Sequence, residues 1–167
     1  MRSSTHVAFV TLAMLLSVTP VLSQQIGANR EATIKAEVNA FLDQYTRWFE
    51  ADRPDLIAEK VFLSPSMRFD ATGLYVMASV DQIKQRWEDL LKPLVADGYA
   101  RSEWPIRNVC VLNDATAMVS GRFVRYRKDG SVIGEYGVTY TLGQTGDGWR
   151  ITAVISHEPG RVLQCAR

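Results

Sequence analysis

The hydrophobic pattern changes period near residue 100, and this change constrains the fold more than any other feature of the chain. Before it, apolar residues recur at steps of three and four. Ile34, Val38, Phe41, Leu42, Tyr45, Trp48 and Phe49 form one stripe, while Lys35, Asn39, Asp43, Arg47 and Glu50 fall elsewhere. That spacing predicts an amphipathic helix over about residues 30–51. After the change come four long extended runs, each closed by a turn signal or by the end of the pattern. Residues 101–112 end at Asn113-Asp114, residues 115–127 at Asp129-Gly130, residues 132–142 at Gly146-Asp147-Gly148, and the last run covers residues 149–157. In the last run Trp149, Ile151, Ala153 and Ile155 alternate with Arg150, Thr152, Val154 and Ser156, the period of a half-buried strand.

Between these halves lie two shorter helical patterns and a hairpin. Asp52 can cap a helix that Pro54 opens and Asp55 supports as an acid near its positive end; Ser64-Pro65 should end it. Residues 67–70 read as a short strand, Gly73 as a turn and residues 74–78 as the partner strand. Ser79 and Gln82 form a capping box ahead of Ile83, Trp87, Leu90, Leu91 and Leu94, with Pro93 expected to kink or end that helix. Three helices on one face of an antiparallel sheet bury these apolar faces economically, so an α+β fold is expected.

The 167 residues suit one domain. A formal net charge of +1 gives no footprint for nucleic acid. Residues 1–23 read as a signal peptide. Arg2 supplies the positive start, residues 7–18 the apolar run, and residues 21–23 a small-residue cleavage site before Gln24. The alternative is an uncleaved anchor. Residues 24–29 are a lead-in, 30–159 the domain and 160–167 a tail. The expected location is periplasmic or secreted, with no membrane contact beyond export. In that oxidising compartment Cys110 and Cys165 are either bridged or two free thiols.

The order of elements, with residues 45–52 (YTRWFEAD), 67–70 (MRFD) and 147–151 (DGWRI), resembles the nuclear transport factor 2-like superfamily. Ketosteroid isomerases, SnoaL-type cyclases and scytalone dehydratases belong to it. Residues 98–102 and 125–130 resemble a group within it classed only as a domain of unknown function. The resemblance implies a cone-shaped curved antiparallel sheet with three N-terminal helices, an apolar interior pocket and a homodimer formed through the outer sheet face.

The same resemblance places Asp70 at or near a general-base position, where burial would raise its pKa. It places Tyr45 near an oxyanion-donating phenol. Tyr140 falls near a position where ketosteroid isomerases carry a protonated acid, a departure from their pattern. His157, the one histidine after the signal segment, is in phase with Ile155 and expected at the cone mouth as a proton shuttle. Arg125 shares a phase with Phe123 and Val119, so it either enters the concave side to meet an anionic ligand or a buried acid, or joins a solvated hairpin with Glu135. Trp48 and Tyr140 complete the expected ligand-lining set. Each of these residues has an ordinary structural role as its alternative. No phosphate loop, nucleophile elbow or metal spacing occurs, so no cofactor is expected. The expected activity is cofactor-free isomerase, dehydratase or cyclase chemistry on a small apolar molecule. The alternatives are a hydrophobic-ligand binding module and a dimeric interaction domain.

Overall fold

The computed structural model describes residues 26–165. The expected signal segment and the first two residues of the lead-in, 24 and 25, lie outside the described residues. Helices α1 (Ala28–Glu50) and α2 (Pro54–Lys60) come first, then strands β1 (Phe62–Asp70) and β2 (Gly73–Met77). Helix α3 (Val80–Ala96) precedes four long strands: β3 (Tyr99–Asn113), β4 (Thr116–Arg127), β5 (Val132–Thr145) and β6 (Gly148–His157). Together the strands make one open six-stranded sheet in the order β2-β1-β6-β5-β4-β3. Neighbours are antiparallel except β1 and β6, which run parallel. That pair corrects the all-antiparallel expectation. It joins the hairpin formed early in the chain to the last strand of the meander, a long-range pairing that local turn signals do not encode.

Helices α1 and α3 cover the concave face. The α1 stripe buries Ile34, Val38 and Leu42 completely, in one cluster with Val119, Leu142 and Ile151 from the sheet. Each such side chain contributes about 1.5–3 kcal/mol of burial. Two polar ties fix α1 laterally: Trp149 Nε1 donates to Glu37 Oε2 at 3.1 Å, and Arg107 pairs with Asp43 at 2.6 Å. Register shifts in β3 between Glu103 and Ile106, and in β4 between Arg125 and Tyr126, bend the strands around the helices.

Three local expectations are corrected. Asp52 caps no helix. It adopts a left-handed φ of 51° and ends α1, with the Arg53 N–H bonded to the Trp48 carbonyl at 3.0 Å, so Pro54 opens α2 without it. Ser64-Pro65 ends no helix either. Helix α2 stops at Lys60, and Pro65 lies inside β1, where the β6 register shifts between Phe62 and Met67 and pairing with β2 begins only at Ser66. A residue without an N–H is tolerated in that irregular stretch. Helix α3 runs through Pro93 to Ala96, because a proline in the last turn removes a single intrahelical bond. Its start follows the capping box, with the Gln82 N–H donating to Ser79 Oγ at 3.2 Å.

The C-terminal tail lies on the outer, convex face. Cys110 and Cys165 are bonded, with their Cα atoms 5.3 Å apart. The Leu163 N–H donates to Ser120 Oγ at 3.0 Å, and Asn108 Nδ2 donates to the Leu163 carbonyl at 2.8 Å. The tail is thus a strap across β3 and β4.

Candidate functional site

A cleft of about 350 Å³ opens between the helices and the concave face of the sheet. Tyr45 reaches it from α1, Trp87 from α3, Arg68 from β1, Arg125 from β4 and Tyr140 from β5. Beside it lies a smaller void of about 30 Å³, which shares Tyr45, Phe123, Arg125 and Tyr140 and adds Trp104. The α1 periodicity that buries Leu42 also turns Tyr45 inward. On the sheet, Val119, Tyr140 and Val154 stand side by side in register, which puts Tyr140 on the same concave face.

The two phenols face one another with ring centroids 6.3 Å apart. Burial pushes Tyr45 well above the usual phenol range; proximity to Tyr140 adds to the shift, and Arg125 and Arg68 oppose it. Burial pushes Tyr140 up to about 12, again opposed first by Arg125. Both remain protonated donors at neutral pH. Tyr45 also meets Trp87 and Phe62 edge-on, with centroids 5.9 Å and 6.1 Å away.

Arg125 enters the concave side and is buried, with 9% of its surface exposed. Its guanidinium lies among three rings, 4.8 Å from Phe49, 5.2 Å from Phe123 and 4.9 Å from Tyr136. Glu135, its sequence-based alternative partner, instead pairs with Arg122 at 3.5 Å. Arg68, which the sequence reading passed over, faces the same cleft, and its Nη2 donates to Ser156 Oγ at 3.0 Å. Sequence alternation points the other way, because the apolar phase of β1 is Met67 and Phe69, and it is these that the structure leaves exposed.

Asp70 does not join this group. It sits at the end of β1, where its carboxylate accepts the Thr72 N–H at 2.9 Å and the Thr72 hydroxyl at 2.6 Å, with Arg68 Nε at 3.4 Å. These bonds, those from Thr72 foremost, hold its carboxyl below the ordinary value, the reverse of the expected shift. It lines a separate groove with Tyr75, Gln82 and Arg86.

His157 borders the cleft mouth, but its register partner is Gly137, and its ring is tied toward the outer face. Its Nε2 lies 3.1 Å from Thr139 Oγ1, and its Nδ1 is 2.9 Å from the Glu158 carbonyl. Thr139 in turn meets Ser120 Oγ at 2.8 Å, so the imidazole ends a polar chain leading to the tail strap. Trp48 packs against the core and lines neither cavity. The structure therefore brings together Tyr45, Tyr140 and Arg125, leaves Asp70 and Trp48 outside, and holds His157 at the rim.

An open curved sheet whose concave face is covered by N-terminal helices, with a cleft between them, defines the NTF2-like class of α+β proteins. The model of the NTF2-like protein family DUF6841 matches residues 36–159, and the chain belongs to that family. No curated protein sequence matches it. Among solved structures it resembles an NTF2-like protein with a cystatin-like fold from Novosphingobium aromaticivorans, with TM-score 0.64 and 16% identity over 77% of this chain and 83% of that one. It resembles Aln2 from a Streptomyces species, with TM-score 0.64 and 18% identity over 75% and 91% of the two chains. It also resembles a protein from Catenulispora acidiphila in complex with S-DNPA, with TM-score 0.59 and 14% identity over 75% and 94%. Identities this low establish the shared fold, not a shared ligand.

Proposed function

We propose that the chain is an exported binding domain that holds one small molecule in the concave cleft, and that it acts by binding rather than by acid–base turnover. The observation that carries this reading is the chemistry of the groups that converge there. Tyr45, Tyr140 and Arg125 are all hydrogen-bond donors. The carboxylate expected to serve as a base, Asp70, is hydrogen-bonded outside the cleft. Donors can fix a ligand oxygen; without a poised base they do not abstract a proton. A protein of this fold solved in complex with S-DNPA supports small-molecule binding as a use of the architecture. A cystine between Cys110 and Cys165 fits the exported location expected from residues 1–23.

Native mass spectrometry of protein purified from its own host tests the proposal. A retained small molecule, released on denaturation and depleted in a Val138→Phe variant that narrows the cleft, is the expected result. Protein that leaves its host empty, with tryptophan emission unmoved by aromatic probes, refutes it.

A further inference from the structure

Arg125 poses an electrostatic problem that the described residues do not solve. A guanidinium is always charged, and a buried charge is costly unless it is paired. Arg125 is 9% exposed, yet no carboxylate among the described residues lies within ion-pair distance of it, and its Nε has no hydrogen-bond partner among them. Of the two carboxylates that line the cleft with it, Glu135 pairs with Arg122 at 3.5 Å, and Glu158 lies at the rim beyond ion-pair distance of Arg125. The rings of Phe49, Phe123 and Tyr136 offset part of the cost, but they accept no hydrogen bond in the guanidinium plane.

The surroundings repeat the pattern. Trp87 Nε1, in the cleft wall, and Trp104 Nε1, beside the smaller void, are also buried donors without partners among the described residues. Tyr45 and Tyr140 add two protonated hydroxyls. The inner end around Arg125 is rich in donors and holds no carboxylate; Glu135 and Glu158 line the cleft farther along. A neutral hydrocarbon would leave Arg125 Nε and the two indole N–H groups unsatisfied.

We infer that the ligand of the cleft is a small organic carboxylate with an aromatic body, its carboxylate seated on Arg125 and within reach of the Tyr45 and Tyr140 hydroxyls. This rests on the cleft being the binding site and adds the class of ligand. One buried guanidinium matches one negative charge, and its planar fork matches a carboxylate in two parallel hydrogen bonds. The void beside Arg125, about 30 Å³, has room for a water-sized group such as a carboxylate oxygen, and it adjoins the larger cleft that Arg125 also lines. The aromatic body would lie against Trp87 and the stacked pair Phe123 and Tyr136, whose centroids are 5.2 Å apart.

The test compares benzoate and 1-naphthoate with the matching neutral amides and with phenyl phosphate, by calorimetric titration of the exported protein. The carboxylates should bind and the amides should bind at least tenfold more weakly. Arg125→Gln should weaken carboxylate binding by roughly tenfold to a hundredfold and amide binding by much less, so that the preference for the acid shrinks. Arg125→Lys, which keeps the charge and loses the fork, serves if the glutamine variant misfolds, and should retain only part of the carboxylate preference. Amides that bind as tightly as acids, with binding abolished by Val138→Phe, overturn the carboxylate assignment and leave the cleft reading standing. Tighter binding of phenyl phosphate than of benzoate also overturns it. If neither series binds folded protein, both readings fall.

Discussion

Replacing both Cys110 and Cys165 with serine removes the covalent anchor of the tail. The bridge closes a loop spanning a sequence separation of 55 residues. In the chain-entropy model, a loop of that length restricts the unfolded chain by about 4 kcal/mol at 25 °C. The folded state loses little besides, because Cys110 is only half-buried and the strap keeps its bonds to Ser120 and Asn108. Urea unfolding followed by tryptophan emission is the assay. With a slope of about 1–3 kcal/mol per molar, the midpoint should fall by roughly 1–4 M. A second variant separates entropy from contacts: Cys110→Ser combined with removal of residues 161–167 also loses the two strap hydrogen bonds, about 1 kcal/mol each. It should therefore be about 2 kcal/mol less stable than the double serine variant, a smaller step than loss of the bridge itself. A double serine variant within about 0.5 kcal/mol of the oxidised protein, or two alkylatable thiols in native protein from its host, refutes the reasoning.

Four other outcomes are expected. Burial raises the folded pKa of Tyr140 from 10.0 to about 12, so its contribution is complete well below pH 10 and is lost as the unfolded chain ionises first; Tyr140 should account for about 1 kcal/mol of the stability lost between pH 10 and 11, a share that Tyr140→Phe removes while Tyr45 and Tyr99 keep theirs. A Cβ at Gly137 would collide with His157 Nδ1 and sit 2.5 Å from the Glu158 carbonyl oxygen, so Gly137→Ala should cost about 1–3 kcal/mol in urea unfolding; an unchanged midpoint would show that the end of β6 yields freely. The exposed outer-face side chains Met67, Phe69, Leu74, Val76 and Ile155 form an apolar surface suited to a second copy, so light scattering should report a dimer and Phe69→Glu a single chain. N-terminal sequencing of the exported protein should begin at or near Gln24, and a mature chain that keeps residues 7–18 would overturn the signal reading.

Local chemistry made much of the fold legible. The α1 stripe at helical spacing, the Ser79 and Gln82 box, and the Asp129-Gly130 turn each specify their element through interactions within a few residues. Tyr45 was placed inward by the same stripe, and Arg125 by sharing a phase with Phe123. The β1–β6 pairing was not legible, because parallel contact between residues 67 and 153 depends on the last strand returning beside the first across the whole chain. Asp70 shows a different failure. The resemblance argued for a buried base, but Thr72, two residues on, supplies both an N–H and a hydroxyl to that carboxylate. Such an Asx-type turn was readable locally and outweighs the position borrowed from other enzymes.

Period-two alternation determines which residues share a face, but not which face turns inward. His157 is in phase with Ile155 and Thr139, as its position requires, yet that phase is the convex one, and the imidazole is tied to Thr139. Val154 and Tyr140, paired in register, carry the opposite phase into the cleft. A single binary choice for β6 thus decides whether its one histidine reaches a ligand or ends a structural chain running through Thr139 and Ser120 to the tail. The choice is made by burial. Turning the strand over would bring Val154 to the convex side and carry Ile155 and His157 inward, but it would also expose Trp149 and Ile151, which are 5% and 0% exposed. The large apolar side chains near the start of β6 are held by α1 through Glu37 and by the core, and a bulge between Thr141 and Leu142 switches the phase before His157 is reached. Strict alternation read from Trp149 and Ile151 would send His157 inward; the bulge sends it outward. The donors facing the cleft are then Arg125, Arg68, Trp87 and the two phenols. That outcome moves the expected chemistry from proton transfer to the recognition of a ligand oxygen.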